Sequence, residues 1–118
     1  MFIDFTGKTC SNCRYNEENV FVRPDVRELF KGFERVQLYT DQVPEELFAA
    51  DPGYRARRLE AEANKDFQVN AFKTNQLPLY VALVPGPGDG VTVLGVYDEG
   101  TINSAERFAG WLREMKEK

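Results

Sequence analysis

A single α/β domain, with a central mixed sheet layered between helices, is the fold class this sequence predicts. Three observations carry that prediction. Strand-like and helical segments alternate along most of the 118 residues, the pattern of a sheet flanked by helices. The run "PLYVALV" (78–84) is apolar throughout and of strand length, which places it in the sheet centre with both faces covered. It is followed by the loop "PGPGDG" (85–90) and by "VTVLGVY" (91–97), a short connection that makes the last two strands an antiparallel hairpin.

The other elements follow in chain order. "FIDFT" (2–6) reads as a short buried strand, because Phe and Ile favour a pleated setting. After the two cysteines, "RYNEENVFV" is helical in character but weakly periodic. Pro24 can open a second helix, where its missing N–H costs nothing. Val26, Leu29, Phe30 and Phe33 then share one face. "RVQLYT" (35–40) alternates as a strand, and "DQVPEELFAADPG" is punctuated by turn residues. Ala56, Leu59, Ala63 and Phe67 mark the expected buried side of a helix over about 54–68. The charged residues of "RARRLEAEANKD" form its solvated side, with ion pairs worth tenths of a kcal/mol. In the closing helix Asn103 is expected to cap with Glu106, and Ala105, Phe108, Ala109 and Leu112 form the buried stripe. Phe30, Phe33, Phe67, Phe72, Phe108 and Trp111 are expected to pack rather than to hold a cofactor.

Composition sets outer bounds on function. Apolar residues make up 42% and charged residues 29%, the balance of an ordinary globular protein of one domain, here residues 1–118. A formal charge of −4 argues against nucleic acid, whose phosphates want a basic stripe. No apolar run approaches the roughly 20 residues that cross a bilayer, so direct membrane insertion by this segment is not expected. An apolar strand directly after Met1 predicts a domain excised from a longer protein that a membrane could anchor.

The chemistry concentrates in "TCSNCR", which holds both cysteines, Cys10 and Cys13. Three readings compete. Structural zinc takes four ligands, usually Cys or His; with two Cys and no His, two chains would have to share an ion or carboxylates complete the shell. A purely structural disulfide closing so small a ring contributes roughly 2 kcal/mol, against about 4.7 for a 100-residue loop. In the redox reading, Cys10 sits where a strand and a glycine lead into a helix. There the helix dipole and free N–H groups favour a thiolate, the species that attacks disulfides. Arg14 adds a cation, and Cys13, one turn further in, can resolve a mixed disulfide. Asp4, in an apolar strand, would lose solvation and take a raised pKa, fitting it to accept a proton from Cys13. The alternative is an Asp4 that points to solvent from a frayed first strand. Tyr15 could face a partner near the thiols or pack within the fold. "PGPGDG" leads into no helix and so makes no phosphate cradle.

"FIDFTGKTCSNCR", "QLPLYVALVPG", "VTVLGVYDEG" and the closing helix resemble the thioredoxin fold. More narrowly, they resemble the C-terminal thioredoxin-like domain of DsbD-type bacterial thiol:disulfide interchange proteins. The phrase D-F-T-G-x-x-C-x-x-C is the most specific part, and the likeness is weakest over 43–66. The resemblance implies a three-layer thioredoxin-like fold lacking the family's first strand and helix ahead of Phe2. It implies Cys10 as nucleophile, Cys13 as resolving thiol and Asp4 as the buried acid that moves protons. It further implies Pro78 as a cis-proline against the disulfide, and Leu77 as backbone partner of an extended substrate segment. Ser11 and Asn12, between the thiols, complete the substrate-facing surface.

Three departures stand out: Thr9 and the Ser11-Asn12 dipeptide differ from the Trp-Cys-Gly-Pro-Cys of thioredoxins, Gln37 replaces a Lys near the buried acid, and the first strand and helix are missing. The first bears on reduction potential and on the direction of electron flow. The activity implied is thiol–disulfide oxidoreduction with protein thiols and disulfides, in the reducing direction, with a companion transmembrane electron-transfer domain and a link to cytochrome c biogenesis. The place implied is the periplasmic, extracytoplasmic face of a bacterial inner membrane, with the cytoplasm as the alternative. No metal or organic cofactor is called for beyond the Cys10–Cys13 pair. The rival is a binding module that holds clients at Leu77–Pro78 while its cysteines stay idle.

Overall fold

The computed structural model describes residues 1–88 and 90–118; Asp89, within the expected 85–90 loop, lies outside the described residues. The strands are β1 (Phe2–Thr6), β2 (Arg35–Tyr39), β3 (Leu79–Pro85) and β4 (Val91–Tyr97). The helices are α1 (Ser11–Asn19), α2 (Pro24–Phe30), α3 (Tyr54–Phe72) and α4 (Ala105–Glu117). One mixed sheet runs in the order β2-β1-β3-β4. β1 is parallel to β2 and antiparallel to β3, and β3 with β4 forms the antiparallel hairpin, bulged between Ala82 and Leu83. The two inner strands are the most buried, β1 along its whole length and β3 up to Leu83, since only they are covered on both faces.

Alternation along β1 and β3 divides the core. Phe2 and Tyr80 face one way, into a cluster with Phe21, Val26, Phe30, Phe108 and Leu112. Ile3, Phe5, Leu79, Val81 and Leu83 face the other way, where Phe72 of α3 packs on them. The first cluster is aromatic at its centre: the Phe108 ring lies 5.7 Å from those of Phe21 and Tyr80 and 5.1 Å from that of Tyr97. Such offset and edge contacts add to the area buried. Gly95 lets α4 come down on β4, since a Cβ there would meet the Met115 sulfur at 2.6 Å.

Two expectations need correction. The cap of α4 is Ser104, whose Oγ accepts from the Arg107 N–H at 3.1 Å, while the Asn103 amide faces Glu99 at 3.5 Å. A second serine-type cap one residue on wins because its oxygen reaches the third N–H of the helix that forms. The buried side of α3 is also not the one expected. Ala56 and Ala63 are exposed, Leu59 is 55% and Phe67 42% exposed, though the Phe67 ring still reaches that of Phe5 at 5.8 Å. Arg57, Ala61 and Gln68 are buried instead. Gln68 donates to the Gln76 carbonyl at 2.7 Å and Asn64 to the Tyr39 carbonyl at 2.9 Å, while Arg57 pairs with Asp51 and Glu45. Backbone carbonyls removed from water need donors, and α3 turns its polar side inward to supply them.

Candidate functional site

The site begins where β1 ends. After Thr6 the chain turns through Gly7, Lys8 and Thr9, and the Cys10 N–H closes the turn on the Gly7 carbonyl at 3.2 Å. Arg14 reaches back from α1 to Thr6 Oγ1 (3.1 Å) and the Gly7 carbonyl (3.0 Å), fixing the angle at which the helix leaves the strand. Cys10 is the N-cap of α1, with extended backbone (φ −80°, ψ 108°), and its sulfur accepts from the Cys13 N–H at 3.2 Å. The two cysteines are joined in a disulfide, Cα atoms 5.3 Å apart. Cys13 is buried, Cys10 half-buried, and Ser11 and Asn12 between them are exposed. An N-cap sulfur sees the free N–H groups of the first turn, which stabilise negative charge placed there.

Asp4 lies in the second strand from the edge, opposite Gln37 on one side and Tyr80 on the other. It is 3% exposed, and its Oδ1 has no hydrogen-bond partner among the described residues. Burial, reinforced by the negative charge of Glu17, pushes its pKa up to about 7; Gln37 and the Arg35 and Arg14 charges pull the other way without prevailing. Asp4 is therefore not a solvent-facing residue of a frayed strand. Glu17 escaped the sequence analysis. It is half-buried, 3.1 Å from Arg14, and its own pKa is raised, first by burial. Its signal was its spacing, four residues after Cys13, which sets both on one face of α1.

Asn16 is a second omission. It is fully buried, donating to Tyr80 Oη at 2.9 Å and the Gly100 carbonyl at 3.0 Å and accepting from the Ile102 N–H at 2.9 Å. A polar residue in a weakly periodic helix gave no warning that it would anchor α1 to the segment before α4.

The Leu77–Pro78 peptide is cis. Pro78 is buried and Leu77 half-buried, and the loop that carries them is held by Gln68 on one side and by a Gln76 bond to the Asp98 carbonyl (2.6 Å) on the other. This loop meets the one ahead of Cys10 at Gly7, where a Cβ would stand 3.2 Å from Leu77 Cδ1 and 3.2 Å from Asp41 Oδ2. The structure thus brings Leu77 beside the Gly7–Thr9 turn and places Asp4 within the sheet that carries the cysteine loop. Among the described residues no three His, Cys, Asp or Glu side chains assemble as a metal-holding group, and no helix is long and apolar enough to cross a membrane.

No family model matches the chain, and no curated protein matches it either. Among solved structures, the solution structure of a thioredoxin from Thermus thermophilus superposes with a TM-score of 0.65 at 19% sequence identity, covering 96% of this chain and 70% of that one. The mixed four-stranded sheet with a disulfide at the first helix's start is a thioredoxin-like fold.

Proposed function

We propose that this chain is a thiol–disulfide oxidoreductase that works on protein disulfides. The observation that carries the reading is a Cys10–Cys13 disulfide at a helix N-terminus, reached from a strand in which Asp4 is buried. In the reducing direction the Cys10 thiolate attacks one sulfur of a partner disulfide, breaking that bond and expelling the other sulfur as a thiolate that takes a proton from solvent. Cys13 gives its proton to Asp4 and attacks Cys10 Sγ. The mixed disulfide breaks, the second partner thiolate leaves, and Asp4 returns the proton to it. Two electrons have passed to the partner, and the Cys10–Cys13 disulfide remains for a donor dithiol to reduce.

The reducing direction, an extracytoplasmic setting and a transmembrane electron donor are supported by the likeness of "DFTGKTCSNC" to DsbD-type domains. The half-buried Cys10 between exposed neighbours supports access by a protein substrate. Leu77 and Pro78, with Ser11 and Asn12, are the proposed contact surface.

The test is reduction of a model protein disulfide by the dithiol form, with Cys13→Ser and Cys10→Ser as controls. Cys13→Ser is expected to accumulate a mixed disulfide through Cys10, and Cys10→Ser to form none. Equilibration in a glutathione buffer reads the direction. A wild-type protein that reduces nothing, with Cys10 alkylating as a free cysteine of pKa about 8.5, would establish the binding-module reading instead.

A further inference from the structure

The turn that presents Cys10 is held from the end of the neighbouring strand β2 by a side chain outside the cysteine helix. Asp41 lies just past the end of β2, 31 residues from Cys10 in sequence. Its Oδ1 accepts from the Lys8 N–H (2.9 Å) and the Gln42 N–H (2.6 Å), and its Oδ2 from the Thr9 N–H and the Thr9 hydroxyl, both at 3.2 Å. Gly7 completes the contact, because any larger residue there would press on Asp41 Oδ2 and on Leu77. Asp41 is itself fixed, its carbonyl accepting from Arg58 of α3 at 3.2 Å. Burial alone would raise its pKa, but the Lys8, Thr9 and Gln42 amides outweigh it and hold the carboxyl below the usual range.

We propose that Asp41 is a positioning residue for the redox step, strapping the Gly7–Thr9 turn so that Cys10 stays in the N-cap place where its thiolate is stabilised. The inference rests on the oxidoreductase reading and adds to it a determinant of Cys10 reactivity that touches neither sulfur nor substrate. Four donors converge on two oxygens, which a carboxylate satisfies and an amide does not: an Asn would turn its NH₂ toward two of them. Those donors also spread the carboxylate's charge. Loss of the strap therefore acts on Cys10 mainly through position: a drifting cap weakens the Cys13 N–H···Sγ contact and the thiolate rises in energy.

Two measurements on Asp41→Asn and Asp41→Ala test this. Amide exchange of the oxidised protein is expected to be roughly ten- to a hundredfold faster at both Lys8 and Thr9 in Asp41→Ala and at one of the two in Asp41→Asn, as for loss of a hydrogen bond to a charged acceptor, with β1 and β3 unchanged. The pH midpoint of Cys10 alkylation in the reduced protein is expected to move upward, further for Ala than for Asn. Exchange that stays slow in Asp41→Asn overturns the strap. Faster exchange with an unmoved midpoint leaves only a structural clamp and overturns the positioning role. A midpoint that falls equally in both variants makes Asp41 a mere charge and also overturns it. If the wild type reduces no protein disulfide, the oxidoreductase reading fails on that assay alone, and both measurements still judge the strap.

Discussion

α4 and α3 lie on opposite faces of the same sheet and bury themselves by opposite means. α4 turns Phe108, Ala109, Leu112 and Met115 inward, an apolar stripe against aromatic side chains of β1, β3 and β4. α3 turns Arg57, Ala61 and Gln68 inward and leaves Leu59 to solvent. The difference lies in what each helix covers. α4 covers strand side chains, which ask only for apolar area. α3 packs Ala61 and Phe72 on the sheet, but it also covers the end of β2 and the loop before β3, where the Tyr39 and Gln76 carbonyls ask for donors. A helix laid over backbone polar groups is selected for hydrogen bonds, and hydrophobic periodicity then points to the wrong side.

The comparison can be broken or sharpened by substitution, the largest effect coming from α4. Phe108→Ala removes a ring that is 0% exposed and is expected to cost roughly 3–5 kcal/mol in urea unfolding; a cost near 1 would mean the aromatic face is not the main core.

Asp4→Asn tests the same face at its charged end. The folded pKa, raised from 3.8 to about 7, means the native state binds the proton more tightly than the unfolded chain. Wild-type stability is therefore lost as pH rises from near 4 through about 7. The Asn variant is expected to be more stable than wild type above that window, by up to about 4 kcal/mol, with the gain vanishing near pH 4. Resolution of the mixed disulfide should meanwhile slow about a hundredfold. Denaturation curves at the two ends of the window, coinciding for both proteins, would refute the buried-acid role.

On α3, Gln68→Ala is expected to cost about 1–3 kcal/mol by orphaning the Gln76 carbonyl, and to loosen the Leu77–Pro78 loop as read by proteolysis. Leu59→Gln closes the series with a change of less than about 0.5 kcal/mol. A loss of several kcal/mol there would restore the apolar side as the buried one.

The legible parts share a property: each depends on residues close in the chain. The strand-turn-helix around Cys10 and Cys13, the hairpin of β3 and β4, and the α4 stripe all follow from local periodicity and punctuation. Asp4 was legible because a charge within an apolar strand is conspicuous by itself. Glu17 was half-legible, its helical spacing from Cys13 being visible but its burial not.

By itself the sequence determined the layered α/β class, the central place of residues 78–84, and a cysteine pair at a helix start. Tertiary structure alone decided that Asn16 would fasten α1 to the Gly100–Ile102 segment, that α3 would turn its polar side inward, and that Asp41 would reach the Lys8 and Thr9 amides. The physical reason is common to all three. Each pairs a polar side chain with a backbone group that only the folded chain brings beside it, and no local pattern announces which carbonyl or amide that will be.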